Sequence, residues 1–189
     1  MKKIVAIIWV VILIVHTKLS LAGEYNILLL PAPYCSQAGV EKKTSENLSI
    51  GIIGRLNCHS ERPTYGDKNN EVDSKFSRAL FPLKYSFNGT YSSGPFVQGA
   101  AGVEESEFKS DAGSSADVTY IDLAVHGGYQ WYFSSGFDIS ILGGIAHLQE
   151  VSSSKQIFAG ESTSVEDFLN KNTETNTHFG AGVILGWSF

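Results

Sequence analysis

The final stretch of the chain, HFGAGVILGWSF, alternates between two kinds of side chain. Counting back from Phe189, every second residue is apolar, and the residues between them are small or polar except for Ile184. An alternation with a period of two is typical of a β-strand, because successive side chains point to opposite faces of a sheet. A soluble β-sandwich would turn the apolar face inward, whereas a membrane barrel would turn it outward toward lipid.

The other end of the chain has the pattern of a secretory signal peptide. Two lysines precede an apolar run from Ile4 to Val15, and this run is too short for a membrane-spanning helix, which needs ~20 apolar residues. Ser20 and Ala22 occupy the small-residue positions of a cleavage site. We therefore predict a signal peptide over residues 1–22 and a single domain over residues 23–189. An uncleaved membrane anchor is the alternative.

The same two-residue alternation recurs throughout the predicted mature chain. It is found in NLSIGIIGRL, RALFPLKYSF, PFVQGAAGVEE, TYIDLAVHGGYQWYF and FDISILGGIAH, and the stretch EYNILLLPAPYCSQAGVEKK has room for two further strands broken near PAPYC. With the last strand this makes eight, an even number suited to a closed barrel. We predict an all-β fold, namely a closed antiparallel eight-stranded transmembrane β-barrel.

The connections between these segments alternate between short and long. KKTSEN, NGTYSSG and SSG are short, whereas NCHSERPTYGDKNNEVDSK, EESEFKSDAGSSADV and the stretch before the last strand are long and polar. Aromatic residues cluster beside the short connections, as in YSF, WYF and GWSF. Short periplasmic turns, long extracellular loops and an aromatic girdle are typical of outer-membrane barrels.

The polar faces of the strands predict a packed barrel interior. They combine isolated charges with many glycines, which make room for larger neighbours, and opposite charges can pair there. The predicted lumen polar network consists of Arg55, Lys84, Asp122, His126 and Asp138. His178 is placed on the same interior face, and a packing role is expected for both histidines.

The terminal GVILGWSF and the hairpin GVEKKTSENLSIGI make the chain resemble the small eight-stranded outer-membrane barrels of Gram-negative bacteria, the OmpA/OmpX/OmpW-like superfamily. The resemblance covers the whole predicted mature chain. It implies a location in the cell outer membrane, in contact with lipid and lipopolysaccharide. It also implies that Phe189, Trp187 and Leu185 form an assembly signal read by the barrel-assembly machinery.

Motifs for catalysis and cofactor binding are weak. The candidates for a lipid A-modifying set are His59, Ser60 and Glu61 in CHSERP, and His147 with Glu150 in AHLQEV. The histidines lack metal-ligand spacing, and no nucleotide loop or nucleophile elbow occurs. We predict no enzyme activity, no metal and no cofactor. The formal net charge of −5 provides no basic surface for nucleic acid.

The sequence therefore places the function in the loops. We predict a surface-exposed binding or adhesion role, with a host or surface ligand as partner, or a structural role in the envelope. A lipid A-modifying enzyme or a narrow pore is the alternative.

Cys35 and Cys58 are the two cysteines and form the candidate disulfide of an exported protein. Regular strand pairing would set them on opposite faces of the sheet. A bulge would remove that conflict.

Overall fold

The computed structural model describes residues 24–31, 37–63, 71–111, 113–158, 165–167, 170 and 176–189, and over 56–63 and 71 it describes the backbone alone. Each strand pairs antiparallel with its two neighbours, and β1 pairs with β8, so that the sheet closes into a barrel. The strands are β1 (Tyr25–Leu30), β2 (Gln37–Lys43), β3 (Leu48–Pro63), β4 (Glu71–Ser86), β5 (Gly94–Ser110), β6 (Ser115–Tyr132), β7 (Phe137–Gln156) and β8 (Asn176–Ser188). The predicted all-β fold with eight antiparallel strands in a ring is confirmed.

Three short connections lie at one end of the barrel, which we call the turn end. They span residues 44–47, 87–93 and 133–136, where the sequence predicts tight turns. Backbone hydrogen bonds close them, including Thr44 N–H to the Leu48 carbonyl at 2.9 Å and Phe133 N–H to the Phe137 carbonyl at 2.9 Å. Both chain ends of the described barrel also lie here, because Tyr25 and Phe189 exchange backbone hydrogen bonds of 3.4 and 3.0 Å.

The opposite end, which we call the loop end, differs from the prediction. The strands continue into stretches that the sequence analysis assigns to long loops, and β5 and β6 are joined by residues 111–114 alone. The predicted long loop over EESEFKSDAGSSADV is therefore wrong. This stretch continues the strand pair, with Glu105, Glu107 and Asp117 on the outer face and Ser106 and Phe108 buried inside. A strand that extends into water keeps its period of two with a polar outer face.

The strands also differ in length, and this gives the barrel an uneven rim. β1 and β2 have 6 and 7 residues, whereas β3 to β7 have between 16 and 20. β1 ends directly before Pro31, which has no N–H to donate to a sheet. β8 pairs with β1 from Leu185 to Ser188, and above this point its residues 176–183 are exposed on both faces. His178 lies opposite Ala146 on the inward parity that the sequence predicts, but it is exposed because β1 does not reach this height.

The outer surface carries a band of exposed apolar side chains, which we call the outer band. On β5 it runs from Pro95 to Val103, and on β7 it includes Ile141 and Ile145. Aromatic residues crowd its turn end, namely Tyr85, Phe87, Tyr129, Trp131, Phe133, Phe137 and Trp187. Toward the loop end the outward residues become charged, beginning at Glu105.

The described helical residues are 165–167 and 170, in the connection between β7 and β8. Among the described residues, no helix has both the length and the apolar character needed to cross a membrane.

Candidate functional site: the barrel interior and its loop end

The barrel interior is organised in four layers between the turn end and the loop end. A lower polar layer is followed by an apolar layer, an ionic layer and an apolar cup at the mouth. Each layer follows from the register, because strand pairing brings inward residues of neighbouring strands to similar heights. The layers are described from the turn end upward.

The lower polar layer centres on Lys84 of β4. Its ammonium lies 2.8 Å from a carboxylate oxygen of Glu41 and donates to the side-chain oxygen of Gln130 at 3.4 Å. The Asn26 amide donates to the carboxylate of Asp138 at 2.8 Å. All five side chains are buried. Such polar groups are tolerated inside a protein because they are paired with each other.

Inward glycines make room for these polar side chains, as the sequence analysis expects. A Cβ at Gly186 would meet the carboxylate of Asp138 and the amide of Asn26. A Cβ at Gly144 would meet the backbone carbonyl of Val125 first, and then the backbone and ring of His126. Gly182, on the same strand as Gly186, has open space instead. Glycine is therefore required sterically at some inward positions and not at others.

An apolar layer separates the lower polar layer from the charges above it. It consists of Leu28, Ile53, Leu80, Ala100, Ala124, Ala146 and Ile184, with Leu30 and Leu142 packed against it. The register sets Ala100 opposite Ala124, and Ala124 opposite Ala146. Apolar constrictions of this kind oppose the passage of hydrated ions.

The ionic layer joins two arginines to two carboxylates. Arg55 donates to Glu104 at 2.6 Å, and Arg78 pairs with Asp122, whose side chain is fully buried. Arg78 also lies 3.8 Å from Glu104, which therefore links both arginines. Removing one partner of such a buried pair costs ~3–5 kcal/mol, because it leaves an uncompensated charge.

The predicted network residues Arg55, Lys84, Asp122, His126 and Asp138 all lie on inward faces, but they fall into separate layers. Lys84 and Asp138 belong to the lower polar layer, whereas Arg55 and Asp122 belong to the ionic layer. His126 lies between these two layers on β6. The sequence analysis omits Glu41, Arg78 and Glu104 from the network. The inward parity of β4 and β5 contains Arg78 and Glu104, but only their register shows that they are opposite each other.

The apolar cup lies at the mouth, on the inner face of the strands that extend past the outer band. Its lining residues are Val72, Phe108, Ala116, Val118, Tyr120 and Leu148, with Phe76 packed against them. The Phe76 ring meets Phe108 edge-on at 5.9 Å, and the Arg55 guanidinium lies over it at 5.7 Å. Val165, from the helical turn, is 0% exposed within this cluster. Val165 of the β7–β8 connection thus packs inside the mouth.

Tyr91 closes the turn end. It lies in the β4–β5 turn, outside the strands, and its hydroxyl donates to the Glu24 and Glu41 carbonyls at 3.2 and 3.3 Å. Its ring stacks on Tyr132, with centroids 6.3 Å apart. Burial raises the pKa of Tyr91 above its ordinary value, and the nearby carboxylate of Glu41 adds to the effect.

The outer face of the loop end is charged and exposed. Lys109 contacts Glu107 at 2.5 Å, and this hydrogen bond lowers the pKa of the Glu107 carboxyl. The same bond raises the pKa of Lys109. Lys75 and Asp117 flank the pair across β4 and β6. Within the described part of the chain, no group of three His, Cys, Asp or Glu side chains is placed to hold a metal ion.

The proposed assembly residues occupy the closing seam of the barrel. Leu185 and Trp187 pair with Leu29 and Ile27 of β1, and the Phe189 ring stacks on Tyr25 at 6.5 Å. Their position gives them a structural role in joining the last strand to the first.

The catalytic candidates on β7 have other partners. His147 shares a 2.8 Å hydrogen bond with Thr177, and the Ser153 hydroxyl donates to Glu150 at 2.5 Å. The described contacts thus do not join His147 to Glu150. The side chains of His59, Ser60 and Glu61 lie outside the described part of the structure, as do Cys35, the side chain of Cys58 and the predicted signal peptide.

The fold and its layered interior define the class as a closed eight-stranded antiparallel β-barrel with a packed core. The chain matches no family model, no curated protein and no solved structure. The resemblance to the OmpA/OmpX/OmpW-like superfamily therefore remains a prediction from the sequence.

Proposed function

We propose that this protein is an integral barrel of the outer membrane of a Gram-negative bacterium, and that its loop end binds a ligand at the cell surface. The observation that carries the proposal is the outer band. A folded protein in water rarely exposes a continuous apolar surface around its circumference, and a lipid-facing barrel does so with aromatic residues at the edge. The span from Pro95 to Val103 suits the ~9–11 residues that a tilted membrane strand needs.

The loop end supports the binding role. β3 to β7 extend past the outer band as a continuous hydrogen-bonded sheet, and its outer face carries Lys75, Glu107, Lys109 and Asp117. A rigid scaffold that holds charged and polar side chains in water is suited to recognition. The connection after β7 adds exposed acidic residues at Glu166 and Asp167.

The membrane location is tested with two arginine substitutions on one strand. Ile141→Arg places a charge in the middle of the outer band, and we expect the free energy of unfolding in bilayers to fall by ~2–4 kcal/mol. Ser154→Arg places the same charge on exposed β7 beyond the band, and we expect little change. Urea titration of both variants in vesicles measures the difference. Equal stability of the two variants would reject the lipid-facing assignment.

The orientation is tested by lysine labelling on intact cells with a membrane-impermeant amine reagent. We expect Lys75 and Lys109 to react, because both lie at the loop end, whereas Lys42 at the turn end should react only after the outer membrane is permeabilised. Peptide mass analysis identifies the labelled positions. Labelling of Lys42 on intact cells without Lys109 would place the turn end outside.

The surface-binding role has a structural alternative, in which the barrel supports the envelope without a ligand. Cells that carry the protein and cells that lack it are compared for binding to host or surface components. Stronger binding by the cells that carry the protein supports the ligand-binding role over the structural one. The barrel-assembly machinery is the proposed partner of Phe189, Trp187 and Leu185 during insertion. Lipopolysaccharide is the proposed neighbour of the outer band.

A narrow pore and a lipid A-modifying enzyme are less well supported. The apolar layer and the Tyr91 closure both lie across the path that an ion would take. Conductance in planar bilayers tests the pore. Mass analysis of lipid A from cells with and without the protein tests the enzyme.

A further inference from the structure

The loop end combines a charged outer face with an apolar inner face. In water the apolar inner face must be covered. Val72, Phe108, Ala116, Val118, Tyr120 and Leu148 line the inner face, each with at most 8% of its surface exposed. Outside, Glu105, Glu107, Lys109 and Asp117 face solvent. An exposed apolar concavity of this kind marks a binding site when it is not covered by the protein itself.

The cover is supplied by the chain's own Val165. This side chain is 0% exposed, whereas its neighbours Glu166 and Asp167 are exposed. The described helical residues around it are 165–167 and 170, and a short helix of this kind has no stability of its own in water. Its position therefore depends on docking, and Val165 is seated in the cup as the side chain of a bound peptide would be.

We propose that the apolar cup is a peptide-binding site that Val165 occupies in the free protein. The ligand is a segment of a partner protein that presents a branched aliphatic side chain, since Val165 is the built-in occupant of the cup. It binds by displacing residues 165–167. The cup opens at the loop end, away from the outer band, so the ligand arrives from water rather than from lipid.

The ionic layer forms the floor of the cup. It limits how far a ligand side chain can enter the barrel. The Arg55 guanidinium covers the Phe76 ring at 5.7 Å and bonds Glu104 at 2.6 Å. Arg78 and Asp122 complete the floor. A ligand side chain therefore meets apolar walls and stops at paired charges, which favours a short aliphatic group over a long one.

The experiment uses the whole folded protein in lipid nanodiscs and a synthetic peptide with the sequence of residues 161–170. Methyl signals of Val72, Val118 and Leu148 report on the cup, and those of outward Val103 and Leu123 report on nonspecific partition into lipid. The peptide is titrated into wild type, Val165→Ser and Glu166→Gln, the last being the matched control at an exposed neighbour.

We expect the cup methyls of Val165→Ser to shift and saturate at a peptide concentration about tenfold below that for wild type, because the built-in competitor is removed. Glu166→Gln should behave as wild type. A peptide with serine in place of its valine should cause no shift. If the serine variant does not fold, Val165→Ala is titrated instead.

Absence of cup shifts in the substituted protein would overturn the proposal, as would equal half-saturation in wild type and Val165→Ser. This inference deepens the proposed surface-binding role and rests on it. The two proposals can be rejected independently. The nanodisc titration tests peptide binding in the cup, whereas lysine labelling on cells tests whether the loop end faces outside.

Discussion

Tyr91 shows how one residue can combine backbone strain with a sealing role. Its φ of 60° lies in the left-handed region, which a bulky residue rarely adopts. The conformation is held by contacts with the opposite side of the turn end, where its hydroxyl bonds the Glu24 and Glu41 carbonyls. Glycine would adopt this φ without strain but would leave the turn end unsealed.

The raised pKa of Tyr91 predicts a dependence of stability on alkaline pH. The folded state keeps the phenol neutral, whereas the unfolded chain ionises it near pH 10. The stability that the neutral phenol contributes is therefore present below pH 10 and is lost as the pH rises above it. Wild type should lose up to about 1.4 kcal/mol per pH unit relative to Tyr91→Phe.

Urea unfolding of both proteins between pH 8 and pH 11 measures this difference, and the titration of other groups cancels in the comparison. A difference that stays constant across this range would show that Tyr91 ionises equally in both states.

The cysteine pair is the second prediction at this scale. The β2–β3 register, continued past Gln37, would bring Asn57 opposite position 35, one residue short of Cys58. A bulge adds one residue to β3 between Arg55 and Cys58, which is the shift that the predicted pairing requires. We therefore retain the prediction of a Cys35–Cys58 disulfide, worth on the order of 3 kcal/mol by loop-closure entropy.

Alkylation of the intact, unreduced protein followed by mass measurement checks the bond. An unchanged mass is expected. Addition of two labels would mean two free thiols.

At the scale of the strands, the alternation with a period of two predicts where each strand lies in the sequence. It does not predict the residue at which the strand ends. The hydrophobic alternation predicts six strands with their inward faces and leaves room for two more before them, because parity depends only on local geometry. It failed at Glu105 and Glu107, where a polar outer face was interpreted as a loop. Composition does not distinguish a loop from a strand that continues past the outer band, whereas the pairing of Glu107 with Asp117 does.

Two glycines on β8 allow a matched test of interior packing. Gly186→Ala would push a methyl group into the Asp138 carboxylate and Asn26, and we expect a loss of ~1–3 kcal/mol in the free energy of unfolding. Gly182→Ala meets open space on the same face, and we expect no loss or a gain of ~0.5–1 kcal/mol. Urea unfolding of the two variants measures both changes in the free energy of unfolding. Equal effects would contradict the inferred role of Gly186 in seating Asp138.

At the scale of the whole molecule, buried side chains occupy the interior near both ends of the described barrel. Tyr91 lies across the turn end, Val165 is buried in the mouth, and the apolar layer lies between them. Inside, Arg55, Arg78 and Lys84 pair with Glu104, Asp122 and Glu41, and the Asn26 amide bonds the fourth carboxylate, Asp138. A barrel with this packed core has a rigid interior.

The closed hydrogen-bonded ring predicts resistance to detergent. Every strand pairs with two neighbours near the turn end. The sheet therefore has no free edge there at which unfolding could begin. We expect the unboiled protein to migrate differently from the boiled protein in a dodecyl sulfate gel. Release of the protein by osmotic shock without detergent would contradict a membrane location.

The sequence by itself determined the fold class, the number of strands, the inward faces and the positions of the tight turns. These features depend on local alternation and on turn chemistry, which a single segment carries within itself. The tertiary structure alone decided the strand lengths at the loop end, the pairing of Arg78 with Asp122, the burial of Val165 and the exposure of His178. Each of these depends on register and barrel shear, which bring residues from distant segments to one height, and no local pattern encodes that alignment.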